Sequence, residues 1–229
     1  MSSQESISVI IPAFNSEEHL AEAIGSVLGQ TLAPAQVIVI DDGSTDGTAA
    51  CAAAHPQVEL IRQENGGPGA ARNAGLRRAR ENWIAFLDSD DLWEPRKLER
   101  QIAAARAENV RIVFTGMRVG RRQEDRVYAM EPEILRGFHA STLLAHRSVF
   151  AEYGSFFESG KMGEFVEWMA RVEEGGVPVH VLSEALVLRR IHTTNLGIRE
   201  RHRRKEYVHL VREIQLRRRA AEGGEPRRP

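Results

Sequence analysis

Through residue 107 the chain switches between short runs of consecutive apolar residues and longer stretches whose apolar positions recur at helical spacing. Ser8–Pro12, Gln36–Ile40, Val58–Ile61 and Trp83–Leu87 are runs of the first kind and predict buried strands. Between them, Glu17–Leu28 carries Leu20, Ala21, Ile24, Val27 and Leu28 on one helical face. Thr48–His55, Ala70–Ala79 and Pro95–Ala107 read as further helices, the last with Pro in its first turn. Short apolar strands alternating with helices imply an α/β fold: a mostly parallel sheet covered on both faces.

The second half is less regular. Arg111–Phe114 reads as a strand, Glu124–Arg126 as a polar turn and Leu143–Tyr153 as a helix. Val166–Glu174 is amphipathic, with Phe165, Trp168, Met169 and Val172 on one face. Val179–Leu182 and Ala185–Arg190 predict two strands, and Val208–Leu216 an amphipathic helix before a frayed end at Gly223–Pro229.

Composition adds an asymmetry. The 229 residues have a formal net charge of −1, which argues against a protein that works by coating nucleic acid. Residues 199–229 nevertheless hold 11 basic and 5 acidic side chains, a basic tail on an acidic body. Such a tail could dock on that body or rest on an anionic membrane surface. The single cysteine, Cys51, excludes an internal disulfide and a Cys-based zinc site, and its Ala-rich setting reads as packing. The N-terminus lacks the basic and apolar regions of a signal peptide, and no apolar run approaches the ~20 residues of a membrane span. The expectation is a cytoplasmic protein, with peripheral contact at the inner membrane face left open through the tail.

Three polar clusters each follow an apolar strand: Ala13-Phe14-Asn15 with Glu17, Asp41-Asp42-Gly43-Ser44, and Asp88-Ser89-Asp90-Asp91. Ligands of open parallel sheets bind outside the carboxyl ends of the strands, so all three point to one rim. Asp88 and Asp90 suit a divalent cation such as Mg²⁺ or Mn²⁺, which commonly bridges to phosphate oxygens; the competing reading is a solvated turn that caps a helix. The glycine turn Asn65–Asn73 lacks both the dinucleotide fingerprint and a Walker lysine. Arg72, one turn into the following helix, could pair with a diphosphate or with Asp41, Asp42 or Asp88, or could simply be exposed.

Four ordered motifs, Ser8–Glu17, Val39–Asp46, Asn65–Asn73 and Phe86–Asp91, resemble the inverting family 2 glycosyltransferases, and the likeness extends over about residues 7–196. The resemblance implies a GT-A fold: a Rossmann-like, mostly parallel central sheet flanked by helices in a single fused domain. Residues 1–198 would form it, with a nucleotide-binding half to about 115 and an acceptor-binding half from about 116, followed by the helical tail 199–229. By the same resemblance Asp41 or Asp42 reads the nucleotide base, and the backbone of Pro12, Ala13 and Phe14 and the side chain of Glu17 line the nucleotide site. Asp88 and Asp90 form the DxD pair, contacting ribose and the metal on the diphosphate, with Ser89 between them; Arg72 counts with the nucleotide site.

The acceptor side carries a departure. Where many members of the family have Glu-Asp, with Asp as catalytic base, this chain has Glu164-Phe165. Glu164 at the helix start is the favoured substitute. Glu167 is the second candidate, although it stands four residues before Arg171 in the favourable order for a helix ion pair. Arg190-Ile191-His192 resembles the family's late Arg-x-His segment, so His192 would join the metal shell or bind diphosphate. The expected reaction is inverting transfer of a sugar, with Mn²⁺ or Mg²⁺, from a nucleotide diphosphate sugar (a UDP-sugar is favoured) to the hydroxyl of a glycan, lipid-linked or peptide acceptor. The rival is a nucleotide-sugar-binding protein of the same fold that lacks transfer activity. A sugar-phosphate nucleotidyltransferase is disfavoured, because no glycine-rich turn with Arg and Lys follows the first strand.

Overall fold

Strand β1 (Ile7–Ala13) is buried on both faces and takes parallel neighbours on both sides, as its unbroken apolar run demands. A computed structural model describes residues 5–123, 127–158, 163–193, 195 and 204–221. In chain order these form β1, α1 (Leu20–Leu28), β2 (Gln36–Asp41), α2 (Thr48–Ala53), β3 (Val58–Arg62), α3 (Gly67–Arg78), β4 (Trp83–Phe86), β5 (Leu92–Trp93) and α4 (Lys97–Glu108). Then follow β6 (Ile112–Arg122), β7 (Tyr128–Met130), β8 (Leu143–His146), α5 (Arg147–Tyr153), α6 (Glu164–Glu174), β9 (Val179–Ile191) and α7 (Arg204–Ala221).

One sheet contains all of these strands in the order β3-β2-β1-β4-β8-β6-β9-β5, with β7 on β6. The β3-β2-β1-β4 half is wholly parallel, the Rossmann-like part that the apolar runs predict. Antiparallel β8 joins it to β6, and β9 runs parallel to β6. Alternate residues of β1 feed two cores. Val9 and Ile11 meet Leu20 and Ile24 of α1 and Leu98 and Ile102 of α4 on one face. Ile10 meets Ala71 and Ala74 of α3 and Phe165 and Trp168 of α6 on the other.

The second half departs from the sequence reading in two places. Leu143–Tyr153 is a strand followed by a helix, because Leu143, Leu144 and Ala145 are sandwiched between β4 and β6. The helix starts only where the His146 side chain accepts the N–H of Ser148. The two strands expected within 179–190 are one continuous β9, and the irregularity falls in its pairing with β6, between Phe114 and Met117. The turn at 124–126, Thr194 and the end at 223–229 lie outside the described residues. Among the described residues no helix is long and apolar enough to cross a membrane.

Helix α7, longer than the predicted Val208–Leu216, packs on α6. Its Ile214 is buried, Arg217 pairs with Glu174 at 2.9 Å and Arg218 with Glu173 at 2.5 Å.

Two glycines let α3 sit close to its neighbours. A Cβ at Gly75 would strike Ile10, and one at Gly69 would strike the Phe157 carbonyl and stand 3.5 Å from the Glu164 Cβ. Gly69→Ala is therefore expected to push α3 away from the start of α6. It should lower stability by about 1–3 kcal/mol, measured by urea unfolding at unchanged m-value.

Candidate active site

The carboxyl ends of β1, β2 and β4 meet at one rim, and hydrogen bonds tie their clusters together. Ser44 Oγ accepts the Asn15 N–H at 2.9 Å, joining the first cluster to the second. Ser16 Oγ lies 2.7 Å from Ser89 Oγ, joining the first to the third. Asn15 holds a positive φ of 48°, a conformation that asparagine tolerates, and its Oδ1 accepts the Thr45 N–H. Glu17 accepts the Gly47 N–H at 2.7 Å, while Phe14 stays exposed beside it. Pro12 and Ala13 run in register with Ile40 and Asp41 at the adjoining strand ends.

Asp41 and Asp42 are both buried and both engaged. Asp41 receives the Ser44 N–H and pairs with Arg62 at 2.9 Å. Asp42 receives the N–H groups of Gly66 and Gly67, at 3.0 and 2.8 Å, and so shapes the glycine turn that opens α3. Arg72 meets neither of them. Its guanidinium donates to Asp88 at 2.7 Å and forms an ion pair with Glu164, which starts α6. Of the side chains expected from sequence as its partners only Asp88 is met, and Glu164 stands where Asp41 or Asp42 was the alternative.

Glu164 is buried, with its Oε1 held by Arg72. Glu167 is occupied differently: Arg171 Nε binds it at 2.9 Å, as the helix spacing predicts, and Arg217 of α7 stands 3.7 Å away. Phe165, at the position where the resemblance expects an acid, packs into an aromatic cluster with Phe114, Phe156 and Trp168.

The acidic turn divides into two sets. Asp90 Oδ2 stands 3.2 Å from His192 Nε2 and accepts from Asn195 at 2.7 Å. Asp88 and Asp91 converge instead with His139, their ligand atoms all within 4.8 Å of one another. Sequence spacing gave no role to His139 and none to Asp91 beyond its turn. The only signal was Asp91's place in the acidic run, because His139 arrives on the distant segment before β8.

The charges fit a cation. Burial, then Asp90 and Asp88, push the Asp91 carboxyl well above its ordinary range. Burial works to raise Asp88 too, but Arg72 and His139 outweigh it and hold that carboxyl down. Burial, partly opposed by Asp88, lowers His139 and favours the neutral imidazole, the form that ligates. Two acidic side chains and an imidazole favoured in its neutral form are donor types that a cation site uses, and the repulsion at Asp91 is only partly offset, by Ser141 and Arg189.

The sequence description of glycosyl transferase family 2 matches residues 8–161. The chain belongs to that family. It is 42% identical over 116 residues to the succinoglycan biosynthesis protein ExoO of Rhizobium meliloti, covering 49% of this chain and 33% of that one. Over 115 residues it is 36% identical to the putative teichuronic acid biosynthesis glycosyltransferase TuaG of Bacillus subtilis, covering 48% and 46% of the two chains. The family 2 chain thus spans a third to under half the length of these curated relatives. Its fold matches S. aureus TarS residues 1–349 crystallised with UDP at a TM-score of 0.67 and 21% identity, over 82% of this chain and 61% of that one. The complex of TarS with UDP-GlcNAc gives a TM-score of 0.69 at 21% identity, over 83% and 60%. These likenesses establish the GT-A fold expected from the motifs.

The family 2 rim makes a pH prediction. A carboxyl raised on folding contributes stability that is full below its unfolded pKa and is lost as pH rises through the folded value. In EDTA, Asp91→Asn should therefore gain stability relative to wild type as pH rises from about 5 to 8. Thermal melts of both proteins check this; a pH-independent difference contradicts it.

Proposed function

We propose that this family 2 chain transfers a sugar, with inversion, from a nucleotide diphosphate sugar to an acceptor hydroxyl, and that Glu164 is the base. The observation that carries the reading is the buried link Glu164–Arg72–Asp88, which ties an acceptor-side carboxylate to the strand-end acids. TarS, of the same fold, was crystallised with UDP and UDP-GlcNAc, which supports a UDP-sugar as donor.

Residues 1–198 would be the transferase unit, divided near 115, with 199–229 as its tail. Asp41 and Asp42, with the backbone of Pro12–Phe14 and with Glu17, would hold the nucleoside, and Asp88 and Ser89 the ribose. A Mn²⁺ or Mg²⁺ ion would be held by Asp90 with His192, or by Asp88 and Asp91 with His139, and when bound it supplies positive charge facing the diphosphate. Arg72 fixes Glu164 Oε1, and no described residue hydrogen-bonds Oε2, which is left to take the acceptor's proton. Inversion then needs no covalent intermediate on the chain. Glu167 is the weaker candidate because Arg171 and Arg217 already surround it. The acceptor would be a glycan, a lipid-linked sugar or a peptide. Peripheral contact of a cytoplasmic protein with the inner membrane face, through the exposed Val208 and Leu216 of α7, belongs to the same reading.

The second reading, nucleotide-sugar binding without transfer, rests on Phe165 at the usual position of the base. Isothermal titration with UDP and Mn²⁺ alongside a donor-hydrolysis assay separates the two: binding with neither hydrolysis nor transfer favours it. For the transferase, Glu164→Gln should lower kcat by about 10²–10⁴-fold while UDP affinity is kept. Glu167→Gln should leave kcat within about threefold and instead reduce stability, by about 0.3–1 kcal/mol. Turnover of Glu164→Gln at the wild-type rate would remove Glu164 from the mechanism.

A further inference from the structure

One cation beside the acidic turn makes no hydrogen bond or ion pair with any described residue. Arg189 lies on β9 opposite Val119 of β6 and is half-buried. The next pairing on β9 sets Leu188 against Leu92, the residue directly after Asp91. Arg189 is thus brought beside the turn, and its charge bears on Asp88, Asp91 and His139. Its guanidinium nevertheless makes no hydrogen bond and no ion pair with any described residue.

Arg190, its neighbour, is wholly committed. It is buried, donates to the Asp90 carbonyl at 2.5 Å and pairs with Glu22, while its backbone N–H reaches Asp91 at 3.2 Å. Successive side chains on a strand take opposite faces, so Arg189 cannot share these partners. Arg72, the other guanidinium near the turn, is spent on Asp88 and Glu164. Among the described residues the site therefore keeps one guanidinium uncommitted, and guanidinium groups are suited to bidentate binding of phosphoryl oxygens.

We propose that Arg189 binds the diphosphate of the nucleotide ligand, donating to the phosphate nearest the Asp88–Asp91 turn. The proposal rests on the reading of the rim as a nucleotide-diphosphate site. A carboxylate on the acceptor would also satisfy a guanidinium, but a diphosphate fits both charges present. A divalent ion on the turn and Arg189 would repel each other unless a dense anion lay between them.

The test is calorimetric titration of UDP and of uridine into the wild type, Arg189→Gln and Arg189→Lys, in EDTA and again with Mn²⁺, with melting temperatures recorded for each protein. Loss of one charge-assisted contact predicts UDP binding roughly 10- to 100-fold weaker in Arg189→Gln, with Arg189→Lys between it and the wild type. Uridine affinity should not change, because no hydrogen bond within the described chain is lost, and the melting temperature should fall only slightly, with the loss of the Arg189 charge beside Asp91. Equal UDP affinity in the wild type and Arg189→Gln overturns the assignment while leaving the nucleotide reading intact. Parallel losses for uridine and UDP also overturn it, as they mark a structural effect. If the wild type binds no UDP even with Mn²⁺, the nucleotide reading falls and takes this inference with it.

Discussion

The buried guanidinium of Arg72 is the constraint on which the site depends. It joins three elements that the chain supplies far apart: the end of β4 through Asp88, helix α3 through its own backbone, and the start of α6 through Glu164. Burial opposes its charge, but the two carboxylates outweigh burial and hold it firmly protonated. Removing one partner from such a buried pair typically costs about 3–5 kcal/mol, because the other charge stays behind without water or counter-ion. The neighbouring backbone serves the same end. Asp42 shapes the glycine turn that aims α3, and Gly69 lets that helix close on the segment leading into α6. The Glu164 carboxylate is thereby fixed relative to Asp88 at the strand-end rim without any direct contact between the two.

The parallel half of this arrangement was legible because it is written locally. Apolar runs mark strands buried on both faces, and parallel strands must place their carboxyl ends at one edge, so three polar clusters had to converge. The antiparallel half is set by long-range pairing. Leu143–Ala145 is a strand only because β4 and β6 flank it, which no period within the segment announces. The same limit hid the Arg72–Glu164 pair, whose members stand 92 residues apart. It also hid His139, which reaches Asp88 and Asp91 through the turn that carries Ser141 rather than through any spacing with another ligand.

Ser141 shows how the acidic turn is kept in place despite its repulsion. Its Oγ donates to Asp91 at 2.8 Å and accepts the Asp88 N–H at 3.1 Å, and its carbonyl accepts Trp93 Nε1 at 2.9 Å. Lys97 lies over the Trp93 ring at 3.9 Å, fully buried, and burial pulls its ammonium well below the ordinary lysine range. Neutral hydrogen bonds and packing thus hold the backbone of the turn, while the Asp91 carboxyl stays well above its ordinary range. The arrangement costs the fold stability as the Asp91 carboxyl ionises.

Helix α6 carries the matching strain at its other end. Glu173 and Glu174 face the negative pole of their own helix, an unfavourable position for carboxylates. Arg217 and Arg218 of α7 meet them there, so the basic tail neutralises a local excess on the acidic body. These pairs are partly exposed and each contributes only about 0–1 kcal/mol, which makes them selectors of register more than sources of affinity. The apolar contacts carry more of the docking: Ile214 is buried, and Leu210 and Tyr207 close on Gly163 so tightly that a Cβ there would stand 2.6 Å from Leu210. Gly163 has a φ of +98°, which glycine adopts without strain, and it directly precedes Glu164. Tail docking and the orientation of that carboxylate therefore meet at a single peptide, and α7 belongs to the framework that sets the site.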